Sequence, residues 1–93
     1  MEYISVIWKH QDDDYPVRLV SELNEGRFEC RKLEFFSDGR VGFASPTHEG
    51  VQTKLGAVAV PPLSDINVDP QFLAVRISQD EFDRLWLEYA ATA

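Results

Sequence analysis

A histidine and three consecutive aspartates fall within five residues, His10-Gln11-Asp12-Asp13-Asp14, and Tyr15 follows directly. Imidazole and carboxylates at that spacing are ligand types for a divalent cation. A calcium loop, however, needs a longer register of oxygen ligands and a turn glycine, and the tract has neither. No metal and no cofactor is therefore expected. Three adjacent carboxylates repel one another, and a cationic surface would relieve that cost. The tract is thus read, beside the plain alternative of a solvated loop, as an acidic contact for a basic protein, with Tyr15 as the aromatic anchor among the charges. Glu25, at the tip of a hairpin read below, is the rival contact. The expected partner-binding residues are His10, Asp12, Asp13, Asp14, Tyr15 and Glu25.

Other residues that could do chemistry lack the company they would need. His48-Glu49 has no second histidine one helical turn away and sits in a turn-like segment, so it reads as an ordinary loop. Cys30 lies in a strand beside Phe28 with no charge pattern that would lower its pKa, which reads as a small apolar residue and not a nucleophile. Glycines 26, 39, 42, 50 and 56 form no phosphate-cradling loop, and no Gly-x-Ser-x-Gly elbow occurs. Sixteen acidic side chains allow many carboxylate pairs, none marked by spacing. No catalytic residue is assigned.

The balance of sixteen acidic against nine basic residues, a formal net charge of −7 on 93 residues, sets nucleic acid aside as a partner. The bases are dispersed among the acids and form no stripe to neutralise phosphates. At this length the chain is expected to be one domain over 1–93 with a small core. Hydrophobic residues at 44% and charged residues at 27% place it with globular proteins. A single cysteine excludes an intramolecular disulfide. The beginning Met-Glu-Tyr-Ile-Ser lacks a basic region followed by an apolar one, so a cytoplasmic location is the expectation. The longest apolar stretch, Leu55 to Leu63, is far too short to span a bilayer and contains Pro61 and Pro62.

The elements that must position these residues follow from periodicity. YISVIWK at 3–9 alternates, with Ile4, Val6 and Trp8 on one side, and predicts a strand. Pro16 opens a second strand at 17–23, and Asn24-Glu25-Gly26 closes a hairpin whose last residue takes positive φ, a role suited to Gly26. RFECRKLEFF at 27–36 is a third strand. Asp38-Gly39 signals a two-residue turn into a fourth at 40–44. In the third strand Phe28 and Cys30 share one parity, whereas Leu33 and Phe35 share the other. Either a bulge near Arg31-Lys32 switches faces, which is the preferred reading, or the sheet is apolar on both sides there.

SPTHEG at 45–50 is turn-rich, and a weaker strand is expected around 54–60 before Pro61-Pro62 stiffens the chain. Ser64 is expected to cap one helical turn ended by Asp69-Pro70, followed by a short strand over 72–77. Ser78-Gln-Asp-Glu81 matches a capping box, and Phe82, Leu85, Trp86 and Tyr89 recur on one helical stripe. The fold class is α+β: an antiparallel β-meander of about four or five strands, with one C-terminal amphipathic helix packed on one face.

Trp8-x-His10, Asp14-x-Pro16-Val17 with Ser21-Glu22-Leu23, Arg31-Lys32-x-Glu34-x-Phe36-x-x-Gly39-Arg40, Leu55-Gly56 with Pro61-Pro62-Leu63, and Ile77-Ser78-x-x-Glu81-Phe82-x-x-x-Trp86 together run nearly the length of the chain. They resemble a family of small acidic bacterial domains of unknown function. The resemblance implies a bacterial origin and a single domain, and carries no activity. In kind, though more loosely, the chain is similar to immunity proteins of bacterial toxin systems. Three function classes stand. The first is an immunity-type or antagonist module that binds a basic toxin or effector. The second is a small enzyme or ligand-binding domain with a pocket near Leu33 and Phe35. The third is a domain that forms homodimers through an unpaired sheet edge.

Overall fold

Alternating apolar residues in the first three strands allow them to pair side by side, and tight turns between them force antiparallel neighbours. A computed structural model describes residues 1–49 and 53–90. Its strands are β1 (Glu2–Trp8), β2 (Arg18–Leu23), β3 (Glu29–Phe35), β4 (Val41–Ser45), a two-residue β5 (His48–Glu49) and β6 (Phe72–Ile77). They form one antiparallel sheet in the order β5-β4-β3-β2-β1-β6, so β1 to β5 are a meander and β6 returns to flank β1. Two helices complete the fold, α1 (Leu63–Ile66) and α2 (Gln79–Tyr89).

α2 begins where Ser78 predicts, its hydroxyl accepting from the Glu81 N–H at 3.1 Å. Its apolar stripe lies on the face of the sheet that carries Tyr3, Val20 and Leu33. Tyr3, Val20, Leu33, Phe82 and Ala90 are buried there, with Phe43, Leu85 and Trp86 packed against them. The aromatic rings meet at offset or tilted angles, Tyr3 to Phe82 at 5.2 Å and Phe43 to Trp86 at 5.9 Å. Over this layer the Arg31 guanidinium lies 4.8 Å from the Phe82 ring and 5.1 Å from that of Trp86, while its Nε and Nη2 reach both oxygens of Glu22 at 2.8 Å each. Those bonds hold the Glu22 carboxyl below its ordinary range, and burial, with Glu22 beside it, pushes the Tyr3 phenol up.

The second face is covered differently. Residues 54–60, expected as a strand, are not one; they run as an irregular strap held against β3. Their polar groups are met by side chains and loop backbone in place of a ladder. Thr53 Oγ1 donates to Glu34 Oε1 at 2.8 Å, Gly56 N–H to Glu29 Oε1 at 2.6 Å, and Lys32 Nζ to the Lys54 carbonyl at 3.2 Å. Arg27 clips the far end: its carbonyl accepts from Val60 N–H, and its guanidinium donates to the Val60 and Pro61 carbonyls at 2.8 Å each and pairs with Glu2.

Several local expectations change with the structure. Arg27, not Gly26, is the left-handed residue of the first hairpin, at φ 66°, because the type I turn closes by Arg27 N–H to Asn24 carbonyl at 2.9 Å. The second hairpin has a three-residue loop, Ser37 to Gly39, bounded by a Phe36–Arg40 bond of 2.9 Å, with Gly39 at φ 92°. The bulge in β3 falls at Cys30, since Glu22 opposes Arg31 and Leu23 opposes Glu29. Lys32 and Glu34 thereby face the strap and Leu33 faces α2. The face switch is the reading that holds; the second side at this point carries Lys32 and Glu34 and is not apolar. The turn-rich segment contains β5 at His48–Glu49, and Gly50 lies outside the described residues. Pro62, not Ser64, caps α1, with no side-chain hydrogen bond.

The edge at β6 is partly closed. Asn67 folds its amide onto Ala74, accepting from the Ala74 N–H at 2.7 Å and donating to its carbonyl at 2.9 Å, while Phe72 N–H goes to the Asp69 carbonyl. A side chain thus occupies positions where a second copy's strand would pair.

Candidate functional site

Strand β1 ends at Trp8 and β2 begins at Arg18, and the chain between them must turn back within nine residues. Trp8 N–H bonds the Val17 carbonyl and Lys9 N–H the Gln71 carbonyl, so the loop leaves the sheet from a fixed base. His10 then staples it. Its Nε2–H donates to the Pro16 carbonyl at 2.7 Å, and its Nδ1 accepts from the Asp12 N–H at 3.0 Å, so both ring nitrogens are engaged within the loop. Asp12 Oδ1 accepts from the Asp14 N–H at 2.9 Å in an Asx turn. Asp13 is tied to the β3–β4 hairpin: Ser37 Oγ donates to its Oδ1 at 3.0 Å, and Arg40 Nη2 to its carbonyl at 3.1 Å.

The loop encloses a cluster of rings. Trp8 lies 4.5 Å from His10, 5.6 Å from Tyr15 and 5.7 Å from Phe72, stacked on the last. Tyr15 is half exposed, at 52%, above this base. Trp8 Nε1 is buried without a hydrogen-bond partner among the described residues. Five of the six expected contact residues, His10, Asp12, Asp13, Asp14 and Tyr15, therefore form one corner. His10 is its internal brace, and Asp12, Asp13, Asp14 and Tyr15 form its exposed surface. Glu25 does not belong to it. That residue tips the β2–β3 hairpin at the opposite end of β2, about 20 Å away for six strand residues.

The electrostatics of the corner also differ from the expected bare repulsion. Asp12 and Asp13 each accept a donor, and Asp38, at the neighbouring turn, is held below its ordinary range first by the Arg40 N–H and then by the Arg40 guanidinium. The Asp12 and Asp13 carboxylates are each held through one oxygen, and all three aspartates are exposed. Such an arrangement offers oriented acceptors around one ring edge, which suits a lysine or arginine of another molecule.

Among the described residues, Leu33 and Phe35, near which a pocket was expected, are packed by neighbours. Leu33 is fully buried under α2, and Phe35 meets the Tyr89 ring at 5.1 Å. A groove of about 390 Å³ lies instead on the second face, floored by Ile4, Val6, Leu19 and Phe72. The sequence reading missed it because Ile4 and Val6 alternate as core residues would. Its signal was arithmetic: one helix covers one face of the sheet, and the Pro61-Pro62 strap spans only part of the other.

Among the described residues no group of three or more His, Cys, Asp or Glu side chains could hold a metal ion, and no helix is long and apolar enough to cross a membrane. Cys30 is half-buried at the bulge, its thiol 3.8 Å from the Phe28 carbonyl.

A family model described as "Domain of unknown function (DUF6881)" matches residues 2–91. No curated protein and no solved structure matches the chain. The chain belongs to the DUF6881 family.

Proposed function

We propose that this DUF6881 domain is a binding module for a basic protein, with the corner of Asp12, Asp13, Asp14 and Tyr15 as its contact surface. The observation that carries the reading is the bracing of that corner. His10, the Asx turn and the bonds to Ser37 and Arg40 hold the loop with the Asp12 and Asp13 carboxylates, and Trp8 and His10 back the exposed Tyr15 ring, before any partner arrives. Preorganised acceptors lose little freedom on binding, and a central aromatic among charges is the usual form of an interface anchor. The overall charge of −7 adds long-range attraction to a cationic partner. Among partnerships of that chemistry, an immunity or antagonist protein that neutralises a basic bacterial toxin or effector, in the cytoplasm, suits a domain so small and acidic.

The test is affinity capture from the source cell with the wild type and with Asp12→Asn, Asp13→Asn and Asp14→Asn combined. Asparagine keeps the Oδ1 acceptor of the Asx turn, so the loop is retained while its charge is removed. A basic protein held by the wild type and lost with the variant is the expected result. Identical partners for both would clear the corner of any role.

A further inference from the structure

The groove on the second face has a composition that the proposed protein contact does not use. Its floor, Ile4, Val6, Leu19 and Phe72, is carbon, and its volume of about 390 Å³ falls in the range of small-molecule sites. The lining includes three carboxylates, Glu29, Asp65 and Asp69, and no lysine or arginine. Glu29 is engaged internally by Lys32, Ser21 and the Gly56 N–H. Asp65 and Asp69 remain at the rim, both exposed, and only one oxygen of Asp69 is taken, by the Gln71 N–H at 2.9 Å. We propose that this groove binds a small organic cation with an aliphatic or arylalkyl body, the body on Ile4, Val6, Leu19 and Phe72 and the ammonium between Asp65 and Asp69.

The polar groups decide between this occupant and a peptide. An extended peptide brings backbone N–H and C=O groups that need partners when desolvated. The groove offers it almost none: the Ser21 hydroxyl already donates to Glu29, and the Val60 and Pro61 carbonyls already accept from Arg27. A simple amphiphilic amine has no such groups, and its one polar end meets the exposed Asp65 and Asp69 carboxylates. An anion of the same shape would meet carboxylates alone. The site goes beyond the contact corner and does not depend on it.

Hexylammonium is the probe, titrated into isotope-labelled full-length chain, with hexanoate and acetyl-Lys-Leu-Lys-amide as comparisons. Saturable shifts on Ile4, Val6, Leu19 and Phe72 are expected with hexylammonium and not with hexanoate, and affinity rises by up to about fourfold per methylene on going to octylammonium. Asp65→Asn with Asp69→Asn, whose exposed positions leave the fold intact by urea midpoint, weakens binding about tenfold. The triple asparagine variant of the corner binds as wild type does, so loss of the contact corner and loss of the groove read separately. Absence of saturable shifts, equal binding of hexanoate, or indifference to the Asp65 and Asp69 changes would overturn the proposal. Tighter binding of the peptide at the same residues would overturn it in favour of a protein segment.

Discussion

Replacing Gly42 by alanine should cost more than any other single methyl added to this sheet. A Cβ at Gly42 would stand 2.0 Å from Thr53 Oγ1 and 3.1 Å from Thr53 Cβ, far inside contact distance. Thr53 is buried at 1% exposure, and its hydroxyl cannot rotate away without leaving Glu34 Oε1, to which it donates at 2.8 Å. Overpacking contributes about 1–3 kcal/mol. Stranding a carboxylate whose side chain is only 12% exposed, with Lys32 Nζ no closer than 3.8 Å, adds about 1.5–3 kcal/mol. The sum, about 2.5–6 kcal/mol, is a large share of an ordinary domain's stability and corresponds to a fall in melting temperature of about 10 °C or more. Urea denaturation at constant m-value is the assay. The cause is separable by a double-mutant cycle: in a Thr53→Ala background the hydroxyl is gone, and Gly42→Ala should cost about 1 kcal/mol or less. A cost within about 0.5 kcal/mol of zero in the wild-type background would refute the close packing of strap on sheet. Equal costs in both backgrounds would place the clash elsewhere.

Two further outcomes concern the other face and the edge. Arg31 lowers the folded pKa of Glu22 below its ordinary 4.5, so the stabilisation is fully present above about pH 4.5 and is lost as pH falls through the folded value; acid unfolding should lose about 1–3 kcal/mol there, and Glu22→Gln should flatten that limb, whereas a parallel limb would contradict the pairing. Asn67→Ala frees the Ala74 N–H and carbonyl at the β6 edge, so it should lower stability by about 1–2 kcal/mol and raise self-association above wild type in sedimentation; unchanged association would show that Asn67 does not guard the edge.

The parts legible in the sequence were those governed by local rules. Period-two alternation placed β1 and β2, a short run after Asp69-Pro70 placed β6, the Ser78 cap and its stripe placed α2, and Asp38-Gly39 placed the second turn. Tyr15 and the aspartates were read as a contact, and the structure brings five of the six expected residues together. What sequence could not supply were choices made by distant partners. Residues 54–60 have strand composition, but Glu29, Lys32, Glu34 and Arg27 take up their polar groups, so no ladder forms. Arg27 accepts a left-handed backbone in the position after glycine because its guanidinium reaches Val60, Pro61 and Glu2 from there. The groove is likewise a property of the layers: Val6 and Leu19 look like core, and the limited span of the strap leaves them half-buried beside the fully buried Ile4.

The rate of association with the captured basic partner, measured across ionic strength for the wild type and for the triple asparagine variant, tests the binding role of the corner most directly. The account predicts a wild-type rate that falls steeply as salt rises, and a variant rate that is lower at low salt and flatter throughout. A rate independent of salt and equal for the two proteins would contradict it.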